Sequence, residues 1–264
     1  MAVHGNKVNA IREYYVCKAN EVIRESRYNL TTQQQKIVLF AISKIRRGDD
    51  PNKYYEIPID ELCAVCNLEY DTGGYYYRTI KNDLKKLVYP TWLQFPDKSE
   101  WIISWFSDIG IVPLSGKVYV KFHERIRPYL FDLKDRYTQF HLEEVLCFRG
   151  KYAIRLFEIL RSYFTQDELN TGVVKEIFIS VEKIREQLFI EAYPEWKEFN
   201  RNVIKKAVDE INLLAEQLQV TYEPVRAGRK VEKIRFLVSS PADVVDRITR
   251  YDRLRKRLPK QNKY

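Results

Sequence analysis

The chain has 264 residues and a formal net charge of +9, and its length favours two compact units over one. With 45% hydrophobic and 14% aromatic residues against only 9 glycines and 10 prolines, each unit has material for a core, which excludes disorder away from the ends. No run approaches the ~18 apolar residues of a membrane span, and MAVHGNKVNAIREYY lacks a signal-peptide core, so a soluble cytosolic protein with a polyanionic partner is expected.

In chain order, TTQQQKIVLFAISKI opens the first helix. Thr32 followed by Gln35 has capping-box spacing ahead of Ile37, Val38, Phe40, Ala41 and Ile45, and Gly48 to Pro51 ends the element. KYYEIPI reads as a strand and DELCAVCNL as a helix with Asp60 at its N-cap; Asp71 to Gly74 form a turn. Nothing from Tyr75 to Val88 is Gly or Pro, so a helix runs there until Pro90 closes it. The β-rich segments TWLQF, EWIISWFS and KVYVKF follow, separated by the turns PDKS and PLSG, and form a hairpin or small sheet.

The second half repeats this order. KYAIRLFEILRSYF is an amphipathic helix, KEIFISV a strand, and SVEKIREQL a helix capped by Ser180. A long helix runs from Trp196 to Leu218, and LQVTYEPV and KVEKIRFLV form a hairpin around RAGR, with Gly228 available for a positive φ. Helix, strand, helix, helix, hairpin is the element order of a winged helix. The fold class is therefore α+β, as two tandem winged-helix domains: residues 1–134, residues 135–246, and a basic tail at 247–264, with the join near PYLFDLKDRYTQF.

Helical phase assigns each long helix an inner and a free face. In the first half Tyr76, Tyr77, Ile80, Leu84, Leu87 and Val88 gather inward, while Tyr75, Arg78, Thr79, Asn82, Lys85 and Lys86 point away. In the second half Phe199, Val203, Ala207, Ile211, Leu214 and Leu218 form the apolar stripe; Arg201, Asn202 and Lys205 lie opposite, with Lys197, Asn200 and Lys206 beside them. That free face turns acidic at Asp209 and Glu216, which leaves its N-terminal part for a phosphate backbone. Arg can bond bidentately to guanine, Asn to adenine, and Lys can neutralise phosphate, while Arg226, Arg229, Lys230 and Lys233 supply a charged wing.

Other chemistry finds little support. Cys63 and Cys66 form a lone CxxC with no second pair of ligands, and read as buried, reduced helix residues. His4, His123 and His141 are isolated, so no metal site is expected. No GxxxxGK[ST], GxSxG or HExxH occurs, and no cofactor is expected.

FHERIRPYLFDLKDRYTQFHLEEVLCFRGKYAIRLFEILRSY, EWKEFNRNVIKKAVDEIN and VTYEPVRAGRKVEKIRFLV together resemble the iteron-binding plasmid replication initiators, the RepB/RepE-type initiator family. The first half resembles it more loosely, through LTTQQQKIVLFAISKI and the strand-rich block after the tyrosines. The resemblance implies a pair of winged-helix domains that bind repeated double-stranded DNA sites in a plasmid origin and help to open it. It also implies dimer contacts in the N-terminal domain, repression of the protein's own gene, and host initiator and helicase as partners, in the bacterial cytoplasm with the plasmid and with no membrane. It implies no catalysis. Three rival readings are a winged-helix transcriptional regulator, a tyrosine-dependent origin-nicking enzyme, and an RNA binder. The second is weakened by the absence of any His-x-His to hold a divalent metal, and the third by the absence of an RNP-like strand motif.

Overall fold

The computed structural model describes residues 14–66, 68, 75–88, 91–94, 99–112 and 115–241, and forms two compact units, Met1–Leu146 and Cys147–Tyr264. In the first unit the described elements are β1 (Tyr15–Ala19), α1 (Asn20–Glu25), β2 (Ser26–Arg27), α2 (Thr32–Ser43), β3 (Tyr55–Pro58), α3 (Ile59–Val65) and α4 (Tyr75–Lys86). Then come β4 (Thr91–Gln94), β5 (Glu100–Ile103), β6 (Phe106–Val112), β7 (Lys117–Phe122), β8 (Tyr137–His141) and α5 (Glu143–Leu146).

Three of these strands make the winged-helix sheet of this unit, in the order β3-β7-β6, all antiparallel. Ile57 of β3 and Val118, Val120 and Phe122 of β7 are fully buried, and so are apolar residues of the three helices, Ile37, Phe40, Leu62, Ile80 and Leu84 among them. EWIISWFS is two strands rather than one. Ser104 Oγ donates to the Phe106 carbonyl at 2.6 Å and Trp105 turns into the core, 1% exposed, so the chain leaves β5 in one sheet and enters β6 in another. β4 pairs with β2 on one side and β5 on the other as a separate sheet, with β4 and β5 inserted in the chain between α4 and the hairpin.

The second unit contains α6 (Lys151–Arg161), β9 (Val174–Ser180), α7 (Val181–Gln187), α8 (Trp196–Phe199), a π-helical turn (Asn200–Ile204), α9 (Lys205–Leu214), β10 (Gln219–Ala227) and β11 (Lys230–Ser239). Its sheet order, β10-β11-β9, reproduces β6-β7-β3: a helix pair preceded by a strand, and a hairpin whose returning strand pairs with that strand. The duplication expected from element order is therefore one of topology. Helix α6 buries an ion pair, Arg155 to Glu158 at 3.2 Å with side chains 2% and 1% exposed, so the charged letters of YAIRLFEIL are core residues. Breaking such a pair strands a charge in the interior.

Several boundaries differ from the sequence expectation. The capping box is formed by Thr31 and Gln34, one residue earlier, with Gln34 N donating to Thr31 Oγ1 at 3.2 Å and Thr31 N to Gln34 Oε1 at 3.1 Å. Asp60 lies in the first turn of α3, and Pro58 is the N-cap. The expected join at 134/135 precedes β8, but β8 pairs with β1 from Tyr15↔His141 to Ala19↔Tyr137, which carries the first unit on to Leu146. Helix α9 stops at Leu214, not Leu218. The Asn212 side chain both accepts from Val220 N and donates to Val220 O, each at 2.7 Å, and so fixes the start of β10 against the helix end. The Asp71–Gly74 turn, the PDKS turn in all but Ser99, and the tail at 247–264 lie outside the described residues.

Ser180 is the N-cap of α7, as expected, with its Oγ accepting from Lys183 N at 3.0 Å. Ser180→Ala is expected to lower unfolding stability by about 1 kcal/mol in a urea titration, with no change in secondary structure content.

Candidate nucleic-acid interface

The second unit presents its long helix by burying one side of it. Phe199, Val203, Ile204, Ala207, Val208 and Ile211 are all under 5% exposed, whereas Leu214 is only half-buried at the helix end. On the opposite side Lys197, Arg201, Lys205 and Lys206 are exposed, and Asn200 and Asn202 are half-buried. Arg201 makes no ion pair or side-chain hydrogen bond among the described residues, so its guanidinium fork is free. Lys205 instead bonds Asp209 at 2.6 Å, both side chains 60% exposed, and this carboxylate holds the ammonium above its ordinary value. An exposed i,i+4 pair of this kind contributes little stability, so Asp209 is a weak competitor for the lysine.

The helix is not uniform. Lys205 N donates to Asn200 O, five residues back, which makes Asn200–Ile204 a π turn. Such turns inside α-helices are frequent at functional sites. At one end of the turn, Asn200 Oδ1 accepts from the hydroxyl of Tyr222 on β10 at 2.6 Å.

Two residues that the sequence reading missed hold this helix in place. Arg185 of α7 stacks over the Phe199 ring at 4.2 Å and donates to the carbonyls of Ala192 (3.1 Å), Tyr193 and Pro194 (3.3 Å), in the later part of the turn between α7 and α8. That turn holds Phe189 and Tyr193 at φ +52° and +60°, a region disfavoured for bulky side chains, and the Arg185 bonds help to fix it. Glu210 of α9 accepts from Arg149 N at 2.5 Å and from Gly150 N at 3.1 Å, so a carboxylate on one helix caps the start of α6. A Cβ on Gly150 would lie 2.6 Å from Glu210 Oε2. Neither residue had a sequence signal, because both act on backbone brought close only by the fold.

The wing of this unit is the β10–β11 hairpin. Gly228 takes φ +60° at its tip, and Arg226, Arg229, Lys230 and Lys233 are exposed around it. Arg226 donates to the Arg229 carbonyl at 3.1 Å. None of the four is in an ion pair among the described residues, so the wing presents a concentrated positive charge.

In the first unit, Arg78, Asn82, Lys85 and Lys86 of α4 are exposed and Ile80, Leu84 and Leu87 are 1% exposed, as the helical phase predicts. Val88 is 49% exposed, because the helix has ended at Lys86 and the phase no longer applies. Tyr75 is the first residue of α4; the side chains of Tyr75, Tyr76 and Tyr77 lie outside the described residues. The first wing is more self-contained than the second. Lys117 bonds Glu56 at 2.7 Å, and Lys121 sits over the Tyr54 ring at 5.5 Å. Cys63 and Cys66 are buried free thiols, pushed up to about 11 and about 12 mainly by burial, and they pack as small apolar groups.

Each unit thus sets a basic helix face beside a β-hairpin, the arrangement of a tandem winged-helix protein of the DNA-reading kind. Residues 15–161 match the family described as Initiator Replication protein, WH1, and residues 180–238 match Initiator Rep protein, WH2; the chain belongs to this family of replication initiators. It is 26% identical over 234 residues to a replication initiation protein of Escherichia coli, covering 86% of this chain and 70% of that protein. It is 28% identical over 149 residues to the PI protein of Escherichia coli, which spans 51% of this chain and 47% of that one. The fold is similar to that of the Pi initiator protein crystallised with iteron DNA, with a TM-score of 0.70 at 20% identity over 88% of this chain and 99% of that chain.

One acidic residue lies on the inner side of α4. Asp83 is 7% exposed, its Oδ1 accepting from Gln34 Nε2 at 3.1 Å, its Oδ2 buried without a partner among the described residues. Burial raises its pKa, against the opposing effects of the Gln34 bond and of Lys86. A carboxyl raised in the folded state contributes stability that is full below the ordinary carboxylate value, about pH 4, and that is lost as the pH rises through the folded value. Asp83→Asn is therefore expected to raise the urea midpoint at neutral pH by the equivalent of about 1 kcal/mol. The gain should shrink towards zero as the titration is repeated at successively lower pH.

Proposed function

We propose that this chain binds repeated double-stranded DNA sites at a plasmid origin, promotes opening of the duplex there, and recruits host replication proteins such as an initiator and a helicase. The observation that carries this reading is the pairing, in both units, of an exposed basic helix face with a hairpin wing, in a chain of the replication-initiator family. Arg201, Asn202, Lys205 and Lys206, with Lys197 and Asn200, enter a major groove by the N-terminal part of the second reading helix. Arg226, Arg229, Lys230 and Lys233 of the wing meet the backbone or the adjacent minor groove. Tyr75, Arg78, Asn82, Lys85 and Lys86 form the corresponding surface of the first unit. The chain exchanges between monomer and dimer, the dimer repressing its own gene.

It acts by binding alone, in the cytoplasm, and the strand separation that follows is driven by host enzymes. No helix among the described residues is long and apolar enough to cross a membrane. Family membership favours this reading over a transcriptional regulator of the same fold. Supercoiled origin DNA incubated with the protein and Mg²⁺ is expected to stay unnicked; nicking that Tyr75→Phe abolishes would overturn binding-only action.

Binding to a duplex carrying the repeats is expected to fall steeply with salt, each neutralised phosphate adding about −0.9 to the log–log slope. Arg201→Ala should cost about 1 to 3 kcal/mol and relax the preference at one base pair. Lys205→Ala should weaken all sequences evenly and flatten the slope by about 1. Wild-type affinity in both variants, measured by gel shift, would mean that the helix presents another face to DNA.

A further inference from the structure

We infer that Tyr222 is a specificity-setting residue: by holding Asn200 Oδ1, it leaves only the amide N–H groups of Asn200 to meet a base. The inference rests on the reading of this helix as the groove-entering element and deepens it to one side chain. Asn200 stands at the start of the π turn, one residue before the free guanidinium of Arg201, and is half-buried. Its Oδ1 accepts from the Tyr222 hydroxyl at 2.6 Å, while its Nδ2 has no hydrogen-bond partner among the described residues. Tyr222 is itself anchored, its ring 6.1 Å from that of the fully buried Phe236 at an interplanar angle of 39°. The donor is therefore fixed from the sheet side and the amide is oriented by it.

An unrestrained asparagine reads adenine with both ends of its amide, accepting from N6 and donating to N7. With Oδ1 turned towards β10, that bidentate contact is lost and the N6 amino group of adenine meets N–H against N–H. What remains favourable is an edge of acceptors, which guanine supplies as O6 and N7. Tyr222 thus converts an adenine-reading residue into one that selects acceptors. It is a positioning residue and touches no base. Burial raises its phenol pKa above the ordinary value, so the hydroxyl keeps its proton and can act as the donor to Asn200 Oδ1.

The test is competitive binding of the full chain to a library of duplex repeats in which every base pair is varied singly. At the base pair read by Asn200, the wild-type chain is expected to prefer guanine to adenine, and Tyr222→Phe to shift that ratio towards adenine by roughly tenfold. Asn200→Ala should abolish the shift, so that adding Tyr222→Phe to it changes no base preference. Asn200→Asp keeps an acceptor for Tyr222 but offers no donor, and should move the preference towards bases that present an amino group. Base profiles identical in wild type and Tyr222→Phe, with both folded by thermal unfolding, overturn the inference while leaving the DNA-binding reading intact. Failure of the wild-type chain to bind any duplex overturns that reading, and the inference with it.

Discussion

One strand pairing carries each unit. The returning strand of the hairpin runs antiparallel to the strand that feeds the helix pair, β7 on β3 and β11 on β9, and the last residue of each feeding strand is also the N-cap of the helix that follows. Pro58 does this in the first unit, opposite Lys117; Ser180 does it in the second, opposite Lys233. Because strand end, helix start and wing residue meet at one position, the wing cannot shift along the sheet without disturbing the cap. That fixes the hairpin relative to the helices of its own unit, which any surface made jointly by helix and wing requires. The caps differ in strength, since Ser180 has a side-chain acceptor and Pro58 has none.

The two units use the same architecture with different charge. In the second, Arg201 and the wing residues Arg226, Arg229, Lys230 and Lys233 have no ionic partners among the described residues, whereas Arg235 of the hairpin is held by Glu176 and Glu223 and one lysine of the helix face is engaged by a neighbouring aspartate. In the first, the described cations of the wing are occupied, Lys117 by a carboxylate and Lys121 by an aromatic ring, and the free charge is concentrated on α4. Unengaged positive charge therefore spans helix and wing in the second unit, and lies chiefly on a helix in the first, among the described residues.

Sequence was a good guide wherever periodicity and turn chemistry act locally. Ile80, Leu84 and Leu87 of the α4 stripe, Phe199, Val203, Ala207 and Ile211 of the second, Ser180 as a cap and Gly228 in its turn were visible, because each depends on neighbours within a few residues, while Val88 and Leu214, at the helix ends, fall out of phase. The run Thr31-Thr32-Gln33-Gln34-Gln35 offers two overlapping capping boxes, and the pattern cannot choose between them. What was hidden depends on distant partners. Strand β8 follows no strong turn signal and pairs with β1, more than a hundred residues away in sequence; α9 ends where Asn212 bonds β10. Likewise, helical phase places Asn200 near the free face but says nothing of Tyr222, and the roles of Arg185 and Glu210 depend on loop carbonyls and amides that the fold brings within reach.

The π turn has a consequence for how such a helix can diverge. A five-residue turn takes up one residue more than an α turn; Phe199 immediately precedes it and Val203 lies within it, both fully buried, with Arg185 stacked on the former. Losing or gaining a residue there would swing one of these anchors by about 100° out of the core. The exposed positions between and beyond the anchors carry no such penalty. In lineages descended from this chain, the exposed face of the helix can be rewritten letter by letter, while the number of letters is held constant by the core beneath it.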